Sequence, residues 1–340
     1  MPNLSLAVAV LNWNGLNLLK RFMPSVVNYS TEATIYVIDN NSSDASCDFL
    51  AQQFPQVKII KNTQNLGYAG GYNQGLQSIA EDLVVLLNSD VEVTENWLKP
   101  LAERFETDAQ LAALQPKILD LKAPEKFEYA GASGGFIDSL GYPFCRGRIF
   151  DELEIDQGQY NTYRQVFWAT GACLVVRKAQ FLEAGALNPK LFAHMEEIDL
   201  CWRLQILGYR VAVEPASSVY HQGGATLELS PQKTYLNFRN SLIILFLNLP
   251  QGEAFLKILA RLVLDGVAGL KFLLEGKPKH LLAILRAHFA FYGQFNSLFA
   301  KKMRGSQRPL HSLAGVYKGS IVKDFYLKKK RKFSALHEIR

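Results

Sequence analysis

Leu83-Val84-Val85-Leu86-Leu87-Asn88-Ser89-Asp90 decides the architecture, because an unbroken apolar run passes straight into three polar residues. Such a run, bounded by turn-forming residues, is the pattern of a strand buried on both faces. Three other segments repeat it. Leu4–Leu11 gives way to Asn12-Trp13-Asn14-Gly15, Thr34–Ile38 to Asp39-Asn40-Asn41-Ser42-Ser43-Asp44, and Val57–Ile60 to a further polar stretch. Between them, Leu16–Val27 and Cys47–Gln53 carry helical periodicity. Strands alternating with helices predict an α/β fold, with a doubly wound, mostly parallel sheet and helices on both faces. Ligands of such sheets bind beyond the carboxyl ends of the strands, so one crevice collects the polar tips.

Composition narrows the class. The chain has 340 residues, 49% apolar and 20% charged, which excludes global disorder and collagen-like repeats. Cys47, Cys145, Cys173 and Cys201 form no C-x-x-C pair, so a disulfide scaffold or cysteine zinc site is not expected, and a reducing compartment is. Leu4–Leu11 lacks the basic flank of a secretory signal and reads as a first buried strand. The net charge of +6 hides a polarity: residues 251–340 hold 18 Lys/Arg against 5 Asp/Glu, a net of +13, leaving −7 for residues 1–250. Anionic lipid or nucleic acid could answer that charge. Phe255–Leu274 and Leu281–Ala300 are apolar but interrupted by Lys257, Arg261, Asp265, Lys271, Arg286 and His288. Charges at that density argue against spanning helices and for basic amphipathic ones, lying in a membrane surface or packed on the body. Aromatics there accompany aliphatic residues rather than forming a stacking platform, so nucleic acid is not the expected partner.

Further along, residues 115–165 are rich in glycine, proline and aromatics and are expected to form excursions and a mobile loop. Regularity returns at Val166–Arg177, in a helix from about Met195 to Leu207 stopped by Gly208, and in a strand at Val211–Val213 leading to His221.

Several residues suit chemistry. Asp90, presented at a strand end, suits a hard divalent cation held against phosphate oxygens, or plain turn capping. Asp39 could accept hydrogen bonds from a base or ribose, or cap the next turn with Ser43 and Asp44. Trp13 could stack on a base or belong to the core. The glycines of Asn65-Leu66-Gly67-Tyr68-Ala69-Gly70-Gly71-Tyr72-Asn73 allow backbone to approach a ligand, or simply make turns. Neither a G-x-G-x-x-G fingerprint after the first strand nor a G-x-x-x-x-G-K-[ST] loop is present. Glu196-Glu197-Ile198-Asp199 crowds three carboxylates into a first helical turn, where they favour the dipole and repel one another, raising the pKa of at least one. His221, before Gly223-Gly224, is a candidate metal ligand or a structural histidine.

Read in order, V-x-x-x-N-W-N-G, D-N-x-S-x-D, N-x-G-x-A-x-G-x-N, L-N-S-D, T-G-A, E-[DE]-x-D-L-C-x-R and H-x-x-G span residues 4–240. This series resembles the family 2 glycosyltransferases of the GT-A fold, nearest their bacterial rhamnosyltransferase-like branch. The resemblance implies a nucleotide-sugar-binding catalytic GT-A domain at 1–240 and a basic amphipathic helical region at 241–340. It implies that Asn12, Trp13, Asn14 and Asp39 hold the nucleotide, and that Asn65, Gly67, Gly70, Gly71, Asn73, Asn88 and Gly171 line the donor site. It implies that Asp90 and His221 bind Mg²⁺ or Mn²⁺, and that Glu197 is the catalytic base, with Glu196, Asp199 and Arg203 contacting acceptor or supporting the helix. The implied reaction is inverting, metal-dependent transfer of a sugar from a nucleoside diphosphate sugar to an acceptor hydroxyl. The implied acceptor is a glycan or lipid-linked intermediate of envelope polysaccharide assembly, at the cytoplasmic face of the cell membrane. Three positions depart from the pattern: Glu197 replaces the usual aspartate, Asn88 replaces an acidic residue of the metal motif, and Gly185-Ala186-Leu187-Asn188-Pro189 replaces G-G-F-D-E. The extra methylene of Glu197 moves its carboxylate about 1.5 Å. A sugar-nucleotide sensor is the alternative the altered base allows. A nucleotidyltransferase, the other alternative on a similar sheet, should carry a basic loop near the N-terminus, and residues 12–18 contain no Lys or Arg.

Overall fold

In the computed structural model, which describes residues 4–223, 230–302 and 307–336, the apolar runs become the centre of one large sheet. Its first half is built from β1 (Leu6–Asn12), α1 (Leu16–Tyr29), β2 (Thr34–Asp39), α2 (Ser46–Gln53), β3 (Lys58–Lys61), α3 (Gly67–Gly75) and β4 (Leu83–Asn88). Strands β3, β2, β1 and β4 lie side by side and parallel. Alternate residues of β1 face opposite layers: Val8 and Val10 pack with Leu19 and Met23 of α1, Ala7 and Ala9 with Ala69 and Tyr72 of α3. Small residues on one side let the glycine-rich helix sit close. A Cβ on Gly75 would lie 2.4 Å from Ile38, so only glycine fits there.

The second half adds β5 (Val91–Val93), α4 (Leu98–Thr107), β6 (Leu111–Asp120) and β7 (Ala123–Phe127). After an excursion come β12 (Arg164–Gln165), β13 (Cys173–Arg177), α5 (Lys178–Glu183), α6 (Glu196–Ile206) and β14 (Arg210–His221). The strand order is β12-β14-β6-β13-β4-β1-β2-β3, with β13 antiparallel to both its neighbours. The strand expected at Val211–Val213 extends to His221, paired with β6 along its length with its register shifting at an irregularity between Glu214 and Ser218.

The excursion corrects the expectation of a mobile loop at 115–165. Residues 111–119 are a buried strand, and β8 (Gly135–Asp138), β9 (Pro143–Cys145), β10 (Arg148–Ile149) and β11 (Glu152–Leu153) form a second sheet. Strands of two to four residues are too short to show a period, and their glycines serve packing: a Cβ on Gly135 would lie 2.1 Å from Trp168.

The C-terminal region consists of α7 (Pro231–Asn248), α8 (Gln251–Leu274), α9 (Pro278–Gly293), α10 (Phe295–Lys302), β15 (Val316–Tyr317) and α11 (Ile321–Tyr326). The composition change at 240/241 falls inside α7, and the continuous helix read at Leu281–Ala300 is broken at Gly293-Gln294. Strand β15 completes the second sheet beside β8, and Ile321 donates its N–H to Asp138 at 2.9 Å. Leu310, Val316, Phe325 and Phe333 share one core with Phe136, Phe144 and Phe167. Among the described residues no helix is long and apolar enough to cross a membrane.

Candidate active site

Strand register brings the polar tips to one edge. Asn12 is opposite Asp39 and Leu11 is opposite Asn88, so the ends of β2, β1 and β4 stand in a row. Asn12 is fully buried and donates to Asp39 at 3.2 Å and to Ser42 Oγ at 3.1 Å; its Oδ1 is buried without a partner. Asp39 also accepts from the Ser42 N–H at 3.1 Å. Asn14 and Asn41 take positive φ, a conformation asparagine tolerates, and Asn14 Oδ1 accepts from the Ser43 N–H at 2.7 Å. The result is a rigid double turn, from which Trp13 projects with 58% of its surface exposed.

The Asn-Leu-Gly segment is joined to this turn by Asn40, which sequence reasoning passed over. Asn40 Nδ2 donates to Asn65 Oδ1 at 2.9 Å and to the Gly67 carbonyl at 3.0 Å. Gly67 has φ +68. Gly70 and Gly71 pack closely: added Cβ atoms would lie 2.8 Å from Leu66 and from Leu11. Asn73 has its amide engaged, exchanging hydrogen bonds with the backbone of Leu187 at 2.7 and 3.0 Å.

At the other end of the row, pairing of β5 with β14 sets Val91 opposite His221 and so delivers Asp90 to the imidazole. His221 Nε2 is 3.1 Å from Asp90 Oδ1. Glu128, which no motif singled out, faces His221 Nδ1 at 3.3 Å without hydrogen-bond geometry. Burial alone would lower the His221 pKa, but the bond to Asp90 and the Glu128 carboxylate override it and hold the pKa at about 10. Gly224, which ends the H-x-x-G motif, lies outside the described residues.

Glu197 approaches from the opposite side through Gly171. The Ala172 carbonyl accepts the Asn88 N–H at 3.0 Å, the Gly171 carbonyl accepts the Tyr68 hydroxyl at 2.7 Å, and a Cβ on Gly171 would lie 3.9 Å from that of Glu197. Each of Glu196 and Glu197 has one buried oxygen with no partner. Desolvation raises both pKa values, with mutual repulsion adding for Glu196; Glu197 is pushed up to about 7 and Glu196 well above its ordinary value. Asp199 points the other way, bonding Arg203 at 3.0 Å and Asn248 at 2.8 Å, while Arg203 also donates to the Ala186 carbonyl at 2.7 Å. Asp199 and Arg203 thus brace the helix.

The turn before α6 is strained: Phe192, His194 and Met195 all have positive φ, at roughly 1–3 kcal/mol apiece. Two neighbouring side chains of α7 hold it, Arg239 donating to the Leu191 carbonyl at 3.1 Å. Asn240 of α7 donates to the carbonyls of Leu191, Ala193 and His194 at 2.9, 2.9 and 2.8 Å.

Asp90 Oδ1 and His221 Nε2, 3.1 Å apart, could both be donors to a cation that displaces the Nε2 proton and takes its other ligands from phosphate and water, with the Glu128 carboxylate on the far side of the ring. Among the described residues no cluster of three His, Cys, Asp or Glu side chains could hold a metal by itself, which fits the amide at Asn88.

Residues 7–160 match the model of glycosyl transferase family 2. Over those residues the chain is similar to the family 2 glycosyltransferases. It is 27% identical over 223 residues to the N-acetylglucosaminyl-diphospho-decaprenol L-rhamnosyltransferase of Mycobacterium tuberculosis, a match covering 60% of this chain and 71% of that one. The fold is GT-A. GalNAc-T7, solved with UDP, GalNAc and Mn²⁺, superposes with a TM-score of 0.56 at 16% identity, over 73% of this chain and 48% of that one. A mannosyltransferase from Pyrobaculum calidifontis, solved with GDP-Man and Mn²⁺, superposes with a TM-score of 0.51 at 12% identity, over 85% and 87%. The chain is accordingly a glycosyltransferase.

Proposed function

We propose that this glycosyltransferase moves a sugar from a nucleoside diphosphate sugar to an acceptor hydroxyl with inversion, assisted by a divalent cation held by Asp90 and His221. The observation that carries the reading is the Glu197 carboxylate, with one oxygen buried and unpartnered, at the start of α6 and beside Gly171, whose neighbour Ala172 accepts the Asn88 N–H at the end of β4. Glu197 takes the proton of the acceptor hydroxyl as that oxygen bonds to the anomeric carbon. The bond from this carbon to the diphosphate breaks, and its electron pair leaves with the nucleoside diphosphate. A cation beside Asp90 would supply Lewis-acid stabilisation of that departing charge. Asp39 and Asn12 fix the turn from which the Trp13 ring is free to stack on a base.

The acceptor we propose is a lipid-linked glycan of envelope assembly, met at an anionic membrane. The diphospho-decaprenol in the mycobacterial relative's name and the net +13 of residues 251–340 support this. The experiment is sugar transfer and donor hydrolysis across a panel of nucleoside diphosphate sugars, with and without Mn²⁺. Asp90→Ala should remove the metal response, and Glu197→Gln should abolish transfer while sparing donor binding. Full transfer by either variant removes that residue's role. The membrane part is checked by flotation of the intact chain with liposomes.

A further inference from the structure

Helix α8 and its partner α9 are built inside out. Three of their ionisable side chains, Arg261, Asp265 and His288, are buried against the protein. Arg261 donates to Ser241 Oγ at 2.7 Å and lies 3.8 Å from the Tyr142 ring centre, and His288 Nε2 faces Asp265 at 3.1 Å. Outward, every third or fourth residue is apolar. Phe255, Leu259, Val263, Val267, Leu270 and Leu274 expose 67, 50, 66, 60, 55 and 81% of their surfaces. On α9, Leu282 and Phe289 continue the stripe with 58 and 74% exposed. Water does not favour such a face, and a contiguous apolar patch of this kind marks an interaction surface.

The charges beside it indicate what covers it. Exposed Lys271, Lys277 and Lys279 gather where α8 turns into α9, and exposed Arg286 and Lys301 follow on α9 and α10. The carboxylates of α8–α10 are Glu253, Asp265 and the neighbouring Glu275, and each is bonded to a basic side chain of the same hairpin. An apolar stripe bordered by cations, with every carboxylate already neutralised, complements an anionic lipid surface. The polar network beneath keeps α8 from being drawn through the bilayer, since extracting Arg261 and Asp265 from it would strand both charges.

We propose that the outer face of the α8–α9 hairpin lies in the boundary between headgroups and acyl chains of an anionic bilayer, the lysines at its tip on phosphates. This deepens the membrane reading given above and rests on it. The test uses the full chain and vesicles of phosphatidylcholine with or without phosphatidylglycerol, in flotation at low and high salt. Wild type should float with the anionic vesicles. The combined variant Leu259→Glu, Val263→Glu, Val267→Glu should lose at least about tenfold of its bound fraction with an unchanged circular dichroism spectrum, because all three sites are exposed. A control that neutralises Lys328–Lys332 should float nearly as wild type does. If wild type floats and the triple variant floats equally, this face is not the docking surface and the membrane reading survives without it. Failure of wild type to float on either vesicle overturns both. A lipid-free dimer that the glutamates convert to monomer, read by light scattering, assigns the face to a second copy and overturns the lipid assignment.

Discussion

Glu197 shows how one side chain can be tuned against stability. Its pKa is raised to about 7 by desolvation, so the folded protein binds its proton more tightly than the unfolded chain does. The contribution to stability is therefore greatest below the unfolded pKa and is lost as pH rises through 7. Base catalysis runs the other way, because only the carboxylate accepts a proton. Transfer should fall about tenfold per pH unit below 7, read as kcat/KM against pH. Glu197→Gln should lower kcat by about 10²–10⁴-fold. The same variant should be more stable than wild type at pH 8, by on the order of 1–3 kcal/mol, with the difference vanishing only below about pH 4. Equal melting temperatures at both pH values would show that the carboxylate is not desolvated. The places of Asp90, His221 and Glu197 at element ends were legible because each sits in a short motif there. Glu128 and Asn240 could not: their partners come from other elements, and nothing in their own neighbourhoods announces them.

At the scale of elements, α6 depends on α7 for its starting geometry. Asn240→Ala removes the side-chain donor of the Ala193 and His194 carbonyls in a strained turn, while the Leu191 carbonyl keeps its bond from Arg239, and should cost about 1–3 kcal/mol in denaturant titration. Because that turn aims Glu197, kcat should fall while the donor KM stays constant; a parallel rise in KM would place the damage at the donor site instead. The strands β1, β2 and β4 were legible because both their faces are buried and the apolar runs show it. The second sheet was not. Its strands are too short for a period, and its pairing comes partly from Val316, far along the chain. Gly315 is the joint: its φ is +72 and a Cβ would meet the Phe167 backbone nitrogen at 2.1 Å. Gly315→Ala should destabilise by on the order of 3 kcal/mol, seen in urea unfolding, whereas Gly276→Ala, with open space around it, should cost only its φ strain.

For the whole molecule, the charge polarity in the composition does not mark a detachable appendage. The C-terminal residues Leu310, Phe325 and Phe333 are part of the same core as Phe144. A chain ended at residue 302 should expose those aromatics and aggregate, as size-exclusion chromatography would show; a monodisperse, cooperatively melting fragment would contradict this. Membrane binding is therefore better probed by surface substitutions than by deletion.

The pairing of β8 with β15 also governs how the protein is made. Ile137 leaves the ribosome roughly 180 residues before its partner Val316, an interval on the order of 10–40 s at cellular elongation rates. Throughout that interval the nascent chain holds an unsatisfied strand edge beside a nest of phenylalanines. The second sheet can therefore close only after residue 317 has emerged, and a late folding step should coincide with that moment.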